Sequence, residues 1–293
     1  MQRFGFRAMG GTCEIVLAGL DKRESKRLAA LGMKEVARIE RHFSRYRPES
    51  VVSKINVNAG RGWTACDEEI AALFDYADAV WRISGGLFDV TSGVLRQAWN
   101  FERAEVPSPE LLLPLLKLVG WGRVERRAGE LRLPKVGMEL DFGGIGKEYA
   151  ADAAAELLRE HGVRHGYINL GGDLRIVGPK PGGEPWSIGI RAPRQPGMLI
   201  ASIPVSSGAI ATSGDYERFF ESAGRRYCHI LNPKTGWPVS FWRSVSVLAP
   251  MATTAGSCST IAMLLEADGI DYLEASGFSY LAIDQTGRIY HNQ

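Results

Sequence analysis

Three glycines, Gly143, Gly144 and Gly146, stand between an extended, partly apolar segment (Val136–Leu140) and an alanine-rich stretch that reads as a helix from about Lys147 to Gly162. Glycines ahead of a helix let the backbone approach a ligand closely, and the first helical turn offers unpaired N–H groups to an anion. The stretch Asp141–Asp152, DFGGIGKEYAAD, is therefore a candidate phosphate site. It is not a Walker A loop, because Asp141 and Glu148 occupy the positions of that motif's first Gly and its Ser/Thr. A glycine turn that only packs a helix onto a strand is the simpler account of any single cluster. Here the cluster has company.

The chain of 293 residues is long enough for a large core, with 45% hydrophobic and 23% charged residues and a formal net charge of +2. No long run of one sign points to nucleic acid or an anionic membrane surface. The N-terminal MQRFGFRAMGGTCEIVLAGL has no uninterrupted apolar core, and no later stretch is apolar enough to span a bilayer, so a cytoplasmic protein is expected. Cys13, Cys66, Cys228 and Cys258 form no CxxC pair and read as reduced, mostly buried thiols.

Apolar residues at Leu28, Leu31, Val36, Ile39 and Phe43 mark a helix within Asp21–Tyr46, stopped by Pro48. A second helix is expected over Asp67–Ile83, with Thr64 and Asp67 resembling a capping box, and a short one from Ser108 to Leu118. After the glycine-led helix the pattern turns to strands. These are Tyr167–Leu170, Leu174–Val177, Trp186–Arg191, Leu199–Val205, Ala209–Thr212, Arg226–Leu231 and Ser244–Leu248. A helix over Ala252–Ala267 and a hairpin around Gln285–Gly287 close the chain. Helices gather early and strands late, which predicts α+β rather than alternating α/β.

Seven short motifs punctuate this order: MGG ending at Gly11, FSRY ending at Tyr46, GGLFDVTSG at Gly85–Gly93, DFGGIGK, NLGGDL at Asn169–Leu174, ATSGDYE at Ala211–Glu217, and HILNPKTGWPV at His229–Val239. Singly each has a bland account: NLGGDL reads as a hairpin turn and DYE as a solvated loop. Together, and in this order from Met9 to about Leu265, they resemble the ApbE family of flavin transferases. The resemblance implies one domain over residues 1–293 with a two-lobed, T-fold-like α+β architecture and FAD in a central cleft. It implies Mg²⁺ on the pyrophosphate and transfer of FMN from FAD to a Thr or Ser hydroxyl of an acceptor protein, with release of AMP.

By position, the resemblance puts Met9 and Tyr46 at the isoalloxazine ring. Leu87, Phe88 and Asp89 would lie along the flavin, with Asp89 accepting from flavin or ribose donors. Asp141 and Lys147 fall on the adenosine and phosphate side; Lys147 sits in IGKEY where the family has IAKGY, so Gly146 and Glu148 differ. His229 is the candidate base for the incoming hydroxyl, since a histidine's ordinary pKa suits proton transfer near neutrality. It is also counted among the FAD-contacting residues.

One departure stands out. The family's metal is held by an Asp and a Thr four residues apart on the closing helix, with a carbonyl from the DFGG turn. Here Thr260 and the Gly144 carbonyl match, but Gly256 stands in place of the Asp. Mg²⁺ prefers carboxylate oxygen, so the gap weakens the expected metal site, and an Asp restored at 256 is expected to strengthen it. Asp215 is a second candidate carboxylate that sequence does not place. Two other readings stay open: a non-catalytic FAD-binding or flavin-carrying protein, and an FAD pyrophosphatase giving FMN and AMP.

Overall fold

Alternation of two apolar faces along the strands fixes the architecture. The computed structural model describes residues 1–292. Strand β1 (Gln2–Ala8) and strand β2 (Gly11–Leu17) form a hairpin whose two-residue turn, Met9-Gly10, has both residues at positive φ, 52° and 75°. That is the type I′ geometry which matches the twist of paired strands. Helix α1 (Lys22–Phe43) starts at Asp21, whose side chain accepts from the Glu24 N–H, and α2 (Val51–Val57) follows the Pro48 break. Strand β3 (Thr64–Ala65) precedes α3 (Glu68–Ile83). The cap of α3 is Asp67 alone, accepting from the Ile70 N–H; Thr64 pairs instead with Leu131, so the predicted capping box is corrected.

Helix α4 (Pro109–Leu116) and strands β4 (Glu125–Arg127) and β5 (Glu130–Arg132) lead to α5 (Gly146–Glu160). Next come β6 (Gly166–Leu170), β7 (Asp173–Gly178), β8 (Trp186–Arg191), β9 (Leu199–Val205), β10 (Ala209–Gly214), β11 (Phe219–Ser222) and β12 (Arg225–Cys228). Strand β13 (Trp242–Ala249), helices α6 (Ala252–Leu265) and α7 (Gly269–Ser276), and strands β14 (Ser279–Asp284) and β15 (Ile289–His291) complete the fold. The strand predicted through Leu231 ends at Cys228: the His229 N–H still donates to the Arg218 carbonyl in register with the β11–β12 pair, but Leu231 then bridges Pro238 instead.

Eight strands make one antiparallel sheet in the order β1-β2-β6-β7-β10-β13-β14-β15. On one face Ile15, Leu17, Ile168, Leu170, Ala211 and Val245 pack under α1, α5 and α6. On the other, Val16, Tyr167, Ile176 and Ile210 are covered by the β8–β9 hairpin through Trp186 and Val205. A separate aromatic cluster of Trp99, Phe220 and Tyr227 joins α4 to the β11–β12 hairpin. Helix α6 is buried almost all round, as befits a helix at the centre of a core. Among the described residues no helix is long and apolar enough to cross a membrane.

Candidate functional site

Strand register gathers the motifs at one end of the large sheet. The β1–β2 turn, the β6–β7 turn at Gly171-Gly172 and the end of β10 at Gly214 all lie there, since Cys13 pairs with Leu170 and Ile210 with Leu174. NLGGDL is thus both a hairpin turn and part of the site. Met9 at φ 52° is backbone strain in a non-glycine residue, a feature that clusters at ligand sites.

Side chains tie the loops together. Arg45 Nη1 lies 3.2 Å from Asp141 Oδ2 and donates to the Gly93 carbonyl at 3.1 Å, joining three motifs. Arg45 also donates to the Tyr46 hydroxyl at 2.8 Å, and the Tyr46 ring is 72% exposed, free to meet a planar ligand. Asp141 Oδ1 accepts from the Gly143 N–H, which shapes the glycine turn. Gly144 packs closely on buried Phe88: a Cβ there would lie 3.2 Å from the ring edge. Leu87 is half-buried beside it. Asp89 does not present a free carboxylate. It is buried, and its oxygens accept from the Thr91 N–H and hydroxyl and from the Trp121 N–H at 2.9 Å, so it locks the loop after Phe88.

No side chain caps α5; the Gly146 N–H is taken by the Phe142 carbonyl at 2.6 Å, and the rest of the first turn faces the glycine turn, where an anion would sit. Lys147, in the first turn of α5, pairs with buried Asp173 of NLGGDL. Burial alone would lower the lysine pKa, but the Asp173 and Glu148 charges outweigh it and hold the ammonium charged. His229 is exposed to solvent at one side, yet the surrounding protein desolvates its ring and Arg218 adds positive charge nearby. Both effects push its pKa below the ordinary histidine value and so favour the neutral ring.

The metal candidates are less simple. The Thr260 hydroxyl is half-buried and bonds the Ser213 hydroxyl at 2.9 Å. Asp215 is not a spare carboxylate: it is 2% exposed, bridged by Arg194 at 2.7 and 2.6 Å and by Gln285 at 2.7 Å. An Asp at 256, expected to strengthen the site, would have to displace the Glu148 side chain, which fills that space. A Cβ on Gly256 would lie 2.7 Å from both Cγ and Oε1 of Glu148.

Glu148 and Asp152 are the residues that sequence reasoning passed over. Asp152 of α5 accepts from the Ala252 and Thr253 N–H groups at 2.8 and 2.9 Å and so caps α6 from a distance. Glu148, one turn earlier, is 5% exposed, and burial together with the Asp173 charge pushes its pKa well above the ordinary carboxylate range. The available signal was that Glu148 and Gly256 are both departures from the motif pattern.

A family model described as the ApbE family matches residues 9–282. The chain belongs to the ApbE family. A curated ApbE-type relative from Treponema pallidum, named FAD:protein FMN transferase, is 34% identical over 242 residues, 76% of this chain and 67% of the relative. A relative of the same name from Klebsiella pneumoniae is 32% identical over 217 residues, 72% of this chain and 67% of its own length. Among solved structures, the ApbE protein of Thermotoga maritima superposes with a TM-score of 0.93 at 35% identity, covering 100% of this chain and 97% of that one. The flavinyl transferase ApbE of Pseudomonas stutzeri gives 0.86 at 27% identity, covering 100% and 94%. The α+β architecture expected from the sequence is therefore the ApbE fold.

Proposed function

We propose that this chain is an FAD:protein FMN transferase. The observation that carries the reading is the meeting, at one end of the sheet, of the glycine-led start of α5, the Lys147–Asp173 pair and His229. A dinucleotide pyrophosphate needs the first two, and an incoming hydroxyl needs the third.

In the proposed reaction the hydroxyl oxygen of an acceptor Thr or Ser attacks the flavin-side phosphorus of FAD. The new P–O bond forms as the bond to the bridging oxygen breaks, and AMP leaves with that oxygen. A His229 ring nitrogen takes the hydroxyl proton. Lys147, held by Asp173, faces the phosphates with positive charge, and the glycine turn at Gly143–Gly146 lets the backbone come close. Tyr46 and Met9 are assigned to the flavin ring, Leu87 and Phe88 to its flank, and Asp141 to the adenosine side. Asp89 supports that flank through the loop it locks.

Oxygen donors are what Mg²⁺ takes, and the Thr260 hydroxyl and Gly144 carbonyl are the oxygens assigned to it. When bound, the ion would neutralise charge on the pyrophosphate.

Incubation with FAD, Mg²⁺ and a flavin-acceptor protein tests the reading. Covalent FMN on the acceptor together with AMP is the expected product. Free FMN plus AMP would mean a pyrophosphatase, and unchanged FAD would mean a binding protein.

A further inference from the structure

Helices α5 and α6 run past each other in antiparallel register. Asp152 meets Ala252 and Thr253, and one turn away Glu148 meets Gly256. Steps of four residues keep each series on one helix face. Thr260 lies one turn beyond Gly256 on the same face of α6, and Gly144 lies in the turn two residues before the start of α5. Glu148, packed against Gly256 from the first turn of α5, thus stands between the two elements that carry the oxygens assigned to the metal.

Its chemistry is unusual for a core residue. Glu148 is 5% exposed, forms no ion pair, and its Oε2 has no hydrogen-bond partner. The cation that acts on it, Lys147, makes its ion pair with Asp173 instead. A buried carboxyl that makes no ion pair of its own is costly, whereas Gln would fill the same volume without an ionisable group. Gly256 is the complement, since any side chain there would displace the carboxylate.

We infer that Glu148 supplies the carboxylate of the metal site, reaching from α5 across Gly256 into the place that a side chain on α6 would otherwise occupy. The carboxylate has moved from one helix to the other, with a glycine opposite it to make room. The site is then a Glu148 carboxylate, the Thr260 hydroxyl and the Gly144 carbonyl, with substrate phosphate and water completing the shell, a set that suits Mg²⁺. The inference rests on the transferase reading only in that a divalent cation accompanies the dinucleotide.

The test is a titration with Mn²⁺ as probe, following free Mn²⁺ by electron paramagnetic resonance, with and without FAD. Glu148→Gln should weaken Mn²⁺ binding by about 10–100-fold, the range for damaging a metal's ligand surroundings. It should leave the melting temperature of the metal-free protein equal or higher, because a buried carboxyl with an unbonded oxygen is replaced by an amide of the same shape. The exchanged variant, Glu148→Gly with Gly256→Asp, should recover most of the affinity, whereas Gly256→Asp alone should not exceed the native chain. Native Mn²⁺ affinity in a folded Glu148→Gln protein would overturn the inference, as would an exchanged variant that folds but binds no metal. If Glu148→Gln fails to fold, the exchanged variant decides by itself. Failure of the native chain to bind FAD would defeat the transferase reading, and the arm without FAD would still report on Glu148.

Discussion

His229 and Arg218 make the residue-scale test. The ring's charged form is disfavoured by the surrounding protein and by the Arg218 charge, so protonation is postponed to lower pH. The sign follows: the base is available above its lowered pKa, and transfer should fall on acidification only below the ordinary histidine value of about 6.5. An NMR titration of the His229 ring should show the same low midpoint, and Arg218→Ala should move it upward. Replacing the base, His229→Ala, should slow transfer by about 10²–10⁴-fold with FAD binding nearly intact. Parallel loss of FAD affinity would instead make His229 a structural residue. His229 could be singled out in the sequence because imidazole chemistry suits the step. Its depressed pKa could not, since the cause lies in folded neighbours.

At the scale of elements, the α5–α6 pair depends on Asp152. It caps α6 at two N–H groups, and the Arg175 guanidinium lies 3.0 Å away. Asp152→Ala should lower stability by about 1–3 kcal/mol, the cost of stranding buried donors, seen as a shifted urea midpoint at unchanged slope. The same variant should weaken Mn²⁺ binding in protein that remains folded, because the register that sets Glu148 against Gly256 is released. Metal affinity unchanged in such a variant would show that helix packing alone fixes the register. Local signals did reveal the helices themselves: the stripe Leu28–Phe43, the glycines before α5 and the cap at Asp67 are all short-range features. Strand β1, the seven-residue α2 and α7 gave weaker signals, being short or only partly apolar. Their stability comes from packing, not from propensity.

For the whole molecule, the sheet is covered on both faces, and the β8–β9 hairpin closes the second. Trp186 is 4% exposed there, meets Tyr167 edge-on with ring centroids 5.0 Å apart, and donates to the Gly178 carbonyl at 2.8 Å. Trp186→Ala should cost about 3–5 kcal/mol in chemical denaturation, in line with emptying a large aromatic site. A loss below 1 kcal/mol would mean that the hairpin contributes little to the core. The sequence by itself determined the α+β class, most element positions, the order of the seven motifs and hence the family, because these depend on residue types and spacings along the chain. Tertiary structure alone decided which groups share a site. Asp89 and Asp215 looked available as carboxylates and are used up by internal partners, while Glu148 looked like a helix residue and keeps a buried oxygen, Oε2, without a partner. Hydrogen-bond satisfaction is a property of three-dimensional neighbours, and the contact between Glu148 and Gly256 exists only because two distant helices pack in one register.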